Sequence, residues 1–199
     1  MKKTYKVNDI FYSLQGEGFW TGTPAVFVRL SGCNLQCPFC DTDHFAGRYL
    51  SADEIVDAVK EFPATHVIIT GGEPAMQLDA ALVDALHRAG LYIHIETNGS
   101  IPLSPEILSA IDWITVSPKD APLAIQRIDE LKLLYHGAGQ DTSQYDNITI
   151  TNPDCRFLQP CDVGNSTENA RIIDQTIQYI LCHPQWRLSL QTHKLLNIR

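Results

Sequence analysis

The chain has 199 residues, 44% of them hydrophobic, and 23 acidic residues against 15 Lys and Arg give it a formal net charge of −8. That length supports one domain with a substantial core, and no apolar run is long enough to cross a bilayer. The acidic balance argues against broad binding to nucleic acid or to anionic membranes, which both need a positive footprint, so the expected partner is a small molecule.

Residues 25–30 have the β-branched and aromatic content of a strand and lead through Ser31-Gly32 into a cysteine-rich loop. Ser51 and Glu54 form a capping-box signature for a helix that carries Ile55, Val56 and Val59 on one face and is closed by Pro63. A strand is expected at 66–70, followed by the turn Gly71-Gly72-Glu73-Pro74, an amphipathic helix over 78–89 ended by Gly90, and a strand at 92–96. Ser104-Pro105-Glu106 opens a short helix, and further strands are expected at 113–116, 130–135, 156–158 and 187–190. Residues 136–152 read as a loop or insertion, and a helix is expected over about 168–182. Strands alternating with helices predict an α/β fold of about six mainly parallel strands, wrapped as a full or partial β/α barrel in a single domain spanning residues 1–199. In such barrels the active site lies at the C-terminal strand ends, and the unusual polar motifs are expected there.

Cys33, Cys37 and Cys40 fall within eight residues of one another. Iron-sulfur clusters usually take four thiolates, so three on one loop with no obvious fourth leave one iron for a small molecule. A structural zinc site is the alternative, with His44 as a possible fourth ligand, although zinc usually takes two separated ligand pairs. Nothing at the N-terminus resembles a secretory signal, which predicts a cytoplasmic protein whose thiols stay reduced. Cys155, Cys161 and Cys182 fit no cluster spacing, and packing is their default role.

The cysteine loop together with Gly71-Gly72-Glu73-Pro74 resembles the radical S-adenosylmethionine enzymes. Within them, Leu14-Gln15-Gly16-Glu17-Gly18, Cys40-Asp41-Thr42, Glu96-Thr97-Asn98-Gly99, Ser117-Pro118-Lys119 and Gln191-Thr192-His193-Lys194 look like the 7-carboxy-7-deazaguanine synthases. The resemblance runs from about Ile10 to the last residue, with the segments before Gly71 and around 136–155 shorter than in the longer members. It implies a partial barrel of the radical S-adenosylmethionine type and a cytoplasmic homodimer served by an external one-electron reductant such as flavodoxin. The reaction implied converts 6-carboxy-5,6,7,8-tetrahydropterin to 7-carboxy-7-deazaguanine with release of ammonia, in queuosine-type deazapurine biosynthesis. A reduced cluster would break the sulfonium bond of S-adenosylmethionine to make a hydrogen-abstracting adenosyl radical. An activase that makes a glycyl radical on a partner protein would share the cluster loop and the glycine turn, but would have no pterin for Gln15 and Arg29 to bind.

The resemblance also assigns residues. Cys33, Cys37 and Cys40 would hold a 4Fe-4S cluster, and Thr42 would contact Mg²⁺, a hard cation that keeps several waters. S-adenosylmethionine would meet Phe39, Cys40 and Asp41 on the cluster loop. Gly72 and Glu73 suit its methionine ammonium, because glycines allow close backbone approach and a carboxylate pairs with a cation. Gly99, Ser117, Pro118 and Lys119 are further cosubstrate contacts, as are Gln159, Pro160, Cys161 and Asp162. Substrate would meet Leu14, Gln15, Gly16 and Glu17, with Thr97 and His193 completing the shell. Arg29, a charge in an apolar strand, is the natural bidentate partner for the pterin carboxylate, with a structural ion pair as the alternative.

Overall fold

The structure is a computed structural model that describes residues 3–40 and 42–199. Asp41 therefore lies outside the described residues. The elements in chain order are β1 (Thr4–Leu14), β2 (Pro24–Leu30), β3 (Arg48–Ser51), α1 (Ala52–Lys60), β4 (His66–Gly71), α2 (Ala80–Arg88), β5 (Tyr92–Thr97) and α3 (Pro105–Ala110). Then come β6 (Trp113–Val116), β7 (Glu130–Tyr135), β8 (Arg156–Pro160), α4 (Ser166–Cys182), β9 (Arg187–Leu188) and α5 (Thr192–Leu196). One sheet has the order β3-β1-β2-β4-β5-β6-β7-β8-β9, parallel from β2 through β9 and antiparallel where β1 meets β2 and β3. The parallel series matches the expected partial barrel, and β1 and β3 are strands that sequence reasoning did not anticipate. Among the described residues no helix is long and apolar enough to cross a membrane.

The strands have two unlike faces because successive side chains point to opposite sides. Val26, Val28, Leu30, Val67, Ile69, Ile93, Ile95, Ile114, Val116, Leu131, Leu133 and Leu158 face the helices and form the main core with Ile55, Val59, Leu82 and Leu86. The intervening positions, Arg29, Thr70, Glu96, Thr115, Lys132 and Gln159, line an internal cavity. Ser51 caps α1 by the predicted capping box: its hydroxyl accepts from the Glu54 N–H, and the Glu54 carboxylate accepts from the Ser51 N–H.

The barrel is plugged at the N-terminal end of the parallel strands. The loop between β1 and β2 brings Trp20 against His66, Tyr92, His94 and Trp113, all at or near strand starts, and Phe19 stacks on Trp113. His94 is buried, which pulls its pKa down to about 3, and its Nε2 lies 2.8 Å from Nδ1 of His66. A neutral ring in that pair suits an apolar plug.

Candidate active site

The cavity has a volume of about 290 Å³ and opens between the loops that follow the parallel strands. Cys33, Cys37 and Cys40 line it together with Phe39 and Thr42. The loop that carries them rests on the glycine turn after β4. A Cβ on Gly72 would fall 2.2 Å from the Gly32 carbonyl oxygen and 2.8 Å from Cys33 Cβ, while the Glu73 N–H donates to the Gly32 carbonyl at 2.9 Å. Only glycine permits that approach. Asn98 extends the platform by donating to Asn34 Oδ1 at 3.1 Å.

The thiols suit the cluster. Burial raises the Cys37 thiol and the nearby Cys33 and Cys40 add to the rise, with Lys119 pulling the other way, so a cationic iron core between them relieves a real electrostatic conflict. The thiol of Cys33 already accepts the Leu35 N–H at 3.4 Å. Among the described residues no three His, Cys, Asp or Glu side chains gather tightly enough to hold a single metal ion. His44 turns instead toward the Thr42 carbonyl and packs on Phe45.

Glu73 is wholly buried and does not line the cavity. Its carboxylate accepts from Thr97 Oγ1 at 2.6 Å, the Asn98 N–H at 2.7 Å and the Ala75 N–H at 2.9 Å, and burial raises its pKa against those bonds. The side chain therefore ties the glycine turn to the end of β5. Gly99, at a φ of 77°, packs under Leu123 and Val116, outside the cavity lining. Ser117 and Lys119 line the cavity, the ammonium donating to Ser117 Oγ at 2.6 Å and lying 5.9 Å above the Phe39 ring. Pro118 lines a neighbouring cleft with Phe39 and His136. Gln159, Cys161 and Asp162 line the cavity at the end of β8, and Pro160 points elsewhere. Asp162 is held at a pKa of about 2 by Lys194, the Gly164 N–H and Asn169.

Leu14, Gln15, Gly16 and Glu17 also line the cavity, but they arrive from the other side. Because β1 runs antiparallel to β2, the end of β1 pairs with the start of β2, and the segment enters from the plugged end. That corrects the expectation that every polar motif sits at a C-terminal end of the parallel strands. The Gln15 amide donates to Glu96 Oε1 at 2.9 Å and accepts from the Glu17 N–H at 3.1 Å. Glu17 meets Lys132 at 2.5 Å and Gln191 Nε2 at 2.9 Å. Burial alone would raise the Glu17 carboxyl, yet the Lys132 ammonium, Gln191 and Gln159 hold it at about 2. His193 packs flat on Gly16, where a Cβ would fall 2.3 Å from its Nδ1.

Arg29 donates to Thr42 Oγ1 at 3.0 Å and stacks 5.9 Å from the Phe11 ring, and no carboxylate pairs with it among the described residues. A guanidinium in the cavity wall has the fork of donors that matches a carboxylate. Sequence reasoning quoted Glu96 within a motif but gave it no role, and it missed Lys132. The signal was present: Lys132 stands between Leu131 and Leu133 as Arg29 stands between Val28 and Leu30, a charge on the inward face of an otherwise apolar strand.

The Radical SAM superfamily pattern matches residues 27–131. Over 98% of both chains, this sequence is 53% identical to the 7-carboxy-7-deazaguanine synthase of Bacteroides thetaiotaomicron. It is 44% identical to the synthase of Burkholderia multivorans, over 98% of this chain and 99% of that protein. The chain belongs to the 7-carboxy-7-deazaguanine synthase family. The crystal structure of QueE from Escherichia coli superposes with a TM-score of 0.75 at 28% identity, covering 94% of this chain and 93% of that one. The likeness thus extends over nearly the whole chain and not over the cluster loop alone.

Proposed function

We propose that the chain converts 6-carboxy-5,6,7,8-tetrahydropterin to 7-carboxy-7-deazaguanine with release of ammonia. The observation that carries this reading is that the Arg29 guanidinium shares one cavity with Gln15, Glu96 and the three cluster cysteines. Cys33, Cys37 and Cys40 would hold the 4Fe-4S cluster, which with S-adenosylmethionine would supply the one-electron chemistry that the ring contraction needs.

This chain's own residues bind and shield. Arg29 takes the substrate carboxylate, Glu96 and Gln15 present acceptors and donors to the pterin edge, and Lys132 balances the acids beside it. Phe39, Gly72, Ser117, Lys119, Gln159, Cys161 and Asp162 form the cosubstrate wall, and Thr42 offers a hydroxyl to Mg²⁺. Glu73 and Gly99 act from behind that wall by fixing its turns, and the Trp20 plug excludes water from the far end. The same reading makes the enzyme a cytoplasmic homodimer of single-domain subunits reduced by a flavodoxin-like donor.

The test is anaerobic reconstitution with iron and sulfide, followed by incubation with a reductant, S-adenosylmethionine and the carboxytetrahydropterin. One deazapurine and one ammonia per substrate consumed are expected. Cleavage of S-adenosylmethionine with neither product would overturn the assignment and return the site to activase chemistry.

A further inference from the structure

One buried acid has no part in the site as described. Glu130, the first residue of β7, is 2% exposed and does not line the cavity. Its Oε2 accepts the Phe19 N–H at 3.1 Å. A Cβ added to Gly18, whose φ is 66°, would fall 1.9 Å from its Oε1, so the carboxylate occupies space that only glycine leaves open. The preceding N–H, of Gly18, donates to Ser189 Oγ at 2.9 Å, and that hydroxyl donates to Gln159 at 2.8 Å. The two peptide groups that follow Glu17 are thus each held by a side chain from across the barrel. Lys132 on its own strand and Glu96 of β5 are the charges facing Glu130, Glu17 adds a third through Lys132, and the Cys155 thiol lies on the β8 side.

We propose that Glu130 is a positioning residue for the ring contraction, fixing the Gln15–Glu17 segment against substrate through the Phe19 N–H and within the field of Lys132, without touching substrate itself. The proposal rests on the reading of Gln15 and Glu17 as substrate contacts. Its protonation state supplies a readout: burial raises the carboxyl to about 7 against the pull of Lys132. While Glu130 is protonated, Lys132 serves Glu17 and Glu96 alone. Once it ionises, a third carboxylate draws on the same ammonium and loosens Glu17.

The experiment compares reconstituted wild-type enzyme with Glu130→Gln and Glu130→Leu at about pH 6 and about pH 8, on either side of that titration. It reads KM and kcat for the carboxytetrahydropterin, iron content, and S-adenosylmethionine affinity. Wild-type KM is expected to be higher at the alkaline pH by roughly five- to tenfold, the worth of one weakened charge-assisted contact. Glu130→Gln keeps the low KM at both pH values, and Glu130→Leu, which cannot accept from Phe19, has the high KM at both. Iron content and cosubstrate affinity stay constant throughout. Superimposed wild-type and Glu130→Gln profiles overturn the proposal, as does a parallel fall in cosubstrate affinity and kcat at full iron content. Should both variants fail to take up iron, Gly18→Ala presses on the same carboxylate from the loop, and an unchanged KM there overturns it equally. Failure of the assigned reaction registers separately, as wild-type enzyme that makes no deazapurine at either pH.

Discussion

Lys132 is 6% exposed and lies within reach of Glu17 and Glu96. Lys132→Met keeps the bulk and removes the charge, leaving two inward carboxylates without their cation. A loss of about 3–5 kcal/mol is expected from urea unfolding, because an orphaned buried charge costs far more than the intact pair contributes. A change below about 1 kcal/mol would mean that water reaches both acids freely. Arg29→Ala acts differently, since among the described residues its partners are the Thr42 hydroxyl and the Phe11 ring. It should raise KM for the carboxytetrahydropterin by roughly a hundredfold, as loss of a bidentate charged contact implies, with iron content and cosubstrate affinity retained. Parallel loss of all three would make Arg29 structural. Both residues were open to the same sequence argument, a charge on the cavity side of a hydrophobic strand. It was applied to Arg29 and not to Lys132, whose acid partners lie 115 and 36 residues away in sequence.

At the scale of elements, the parallel strands were legible because they are short apolar runs bounded by turn residues, and α1 because Ser51 and Glu54 announce it. Ser51→Ala should lower stability by about 1 kcal/mol in chemical denaturation, and a loss under a few tenths would show that the packing of Ile55 and Val59 holds the helix unaided. β1 was not legible for a physical reason. Its register shifts between Val7 and Asp9, so buried Tyr5 and Val7 give way to a polar stretch before Phe11, and period-two alternation breaks in mid-strand. β3 is four residues at an exposed edge, with little apolar content to mark it. Missing β1 had a consequence for the site, because its direction decides from which end Gln15 to Glu17 enter.

For the whole molecule, the buried acids set opposing trends of stability with pH. Glu17, held at about 2 against an ordinary 4.5, contributes stability that is present above pH 4.5 and is lost as pH falls toward 2. Asp162 behaves in the same way from 3.8 downward. Glu130, raised to about 7 from 4.5, binds its proton more tightly when folded, so its contribution declines as pH rises from 4.5 to 7. Thermal unfolding is expected to show greatest stability on the acid side of neutrality, and Glu130→Gln should flatten the decline toward pH 7. An unaltered slope in that variant would assign the decline to other groups.

The hairpin that enters through the plugged end also divides the labour of the cavity. On the proposed function, loops at one mouth would start the radical chemistry, while the turn from Leu14 to Glu17, threaded from the opposite mouth, would meet whatever is to be rearranged. Because β2 runs on into the cysteine loop, the part of the hairpin that could change without disturbing the initiation apparatus is that turn and β1.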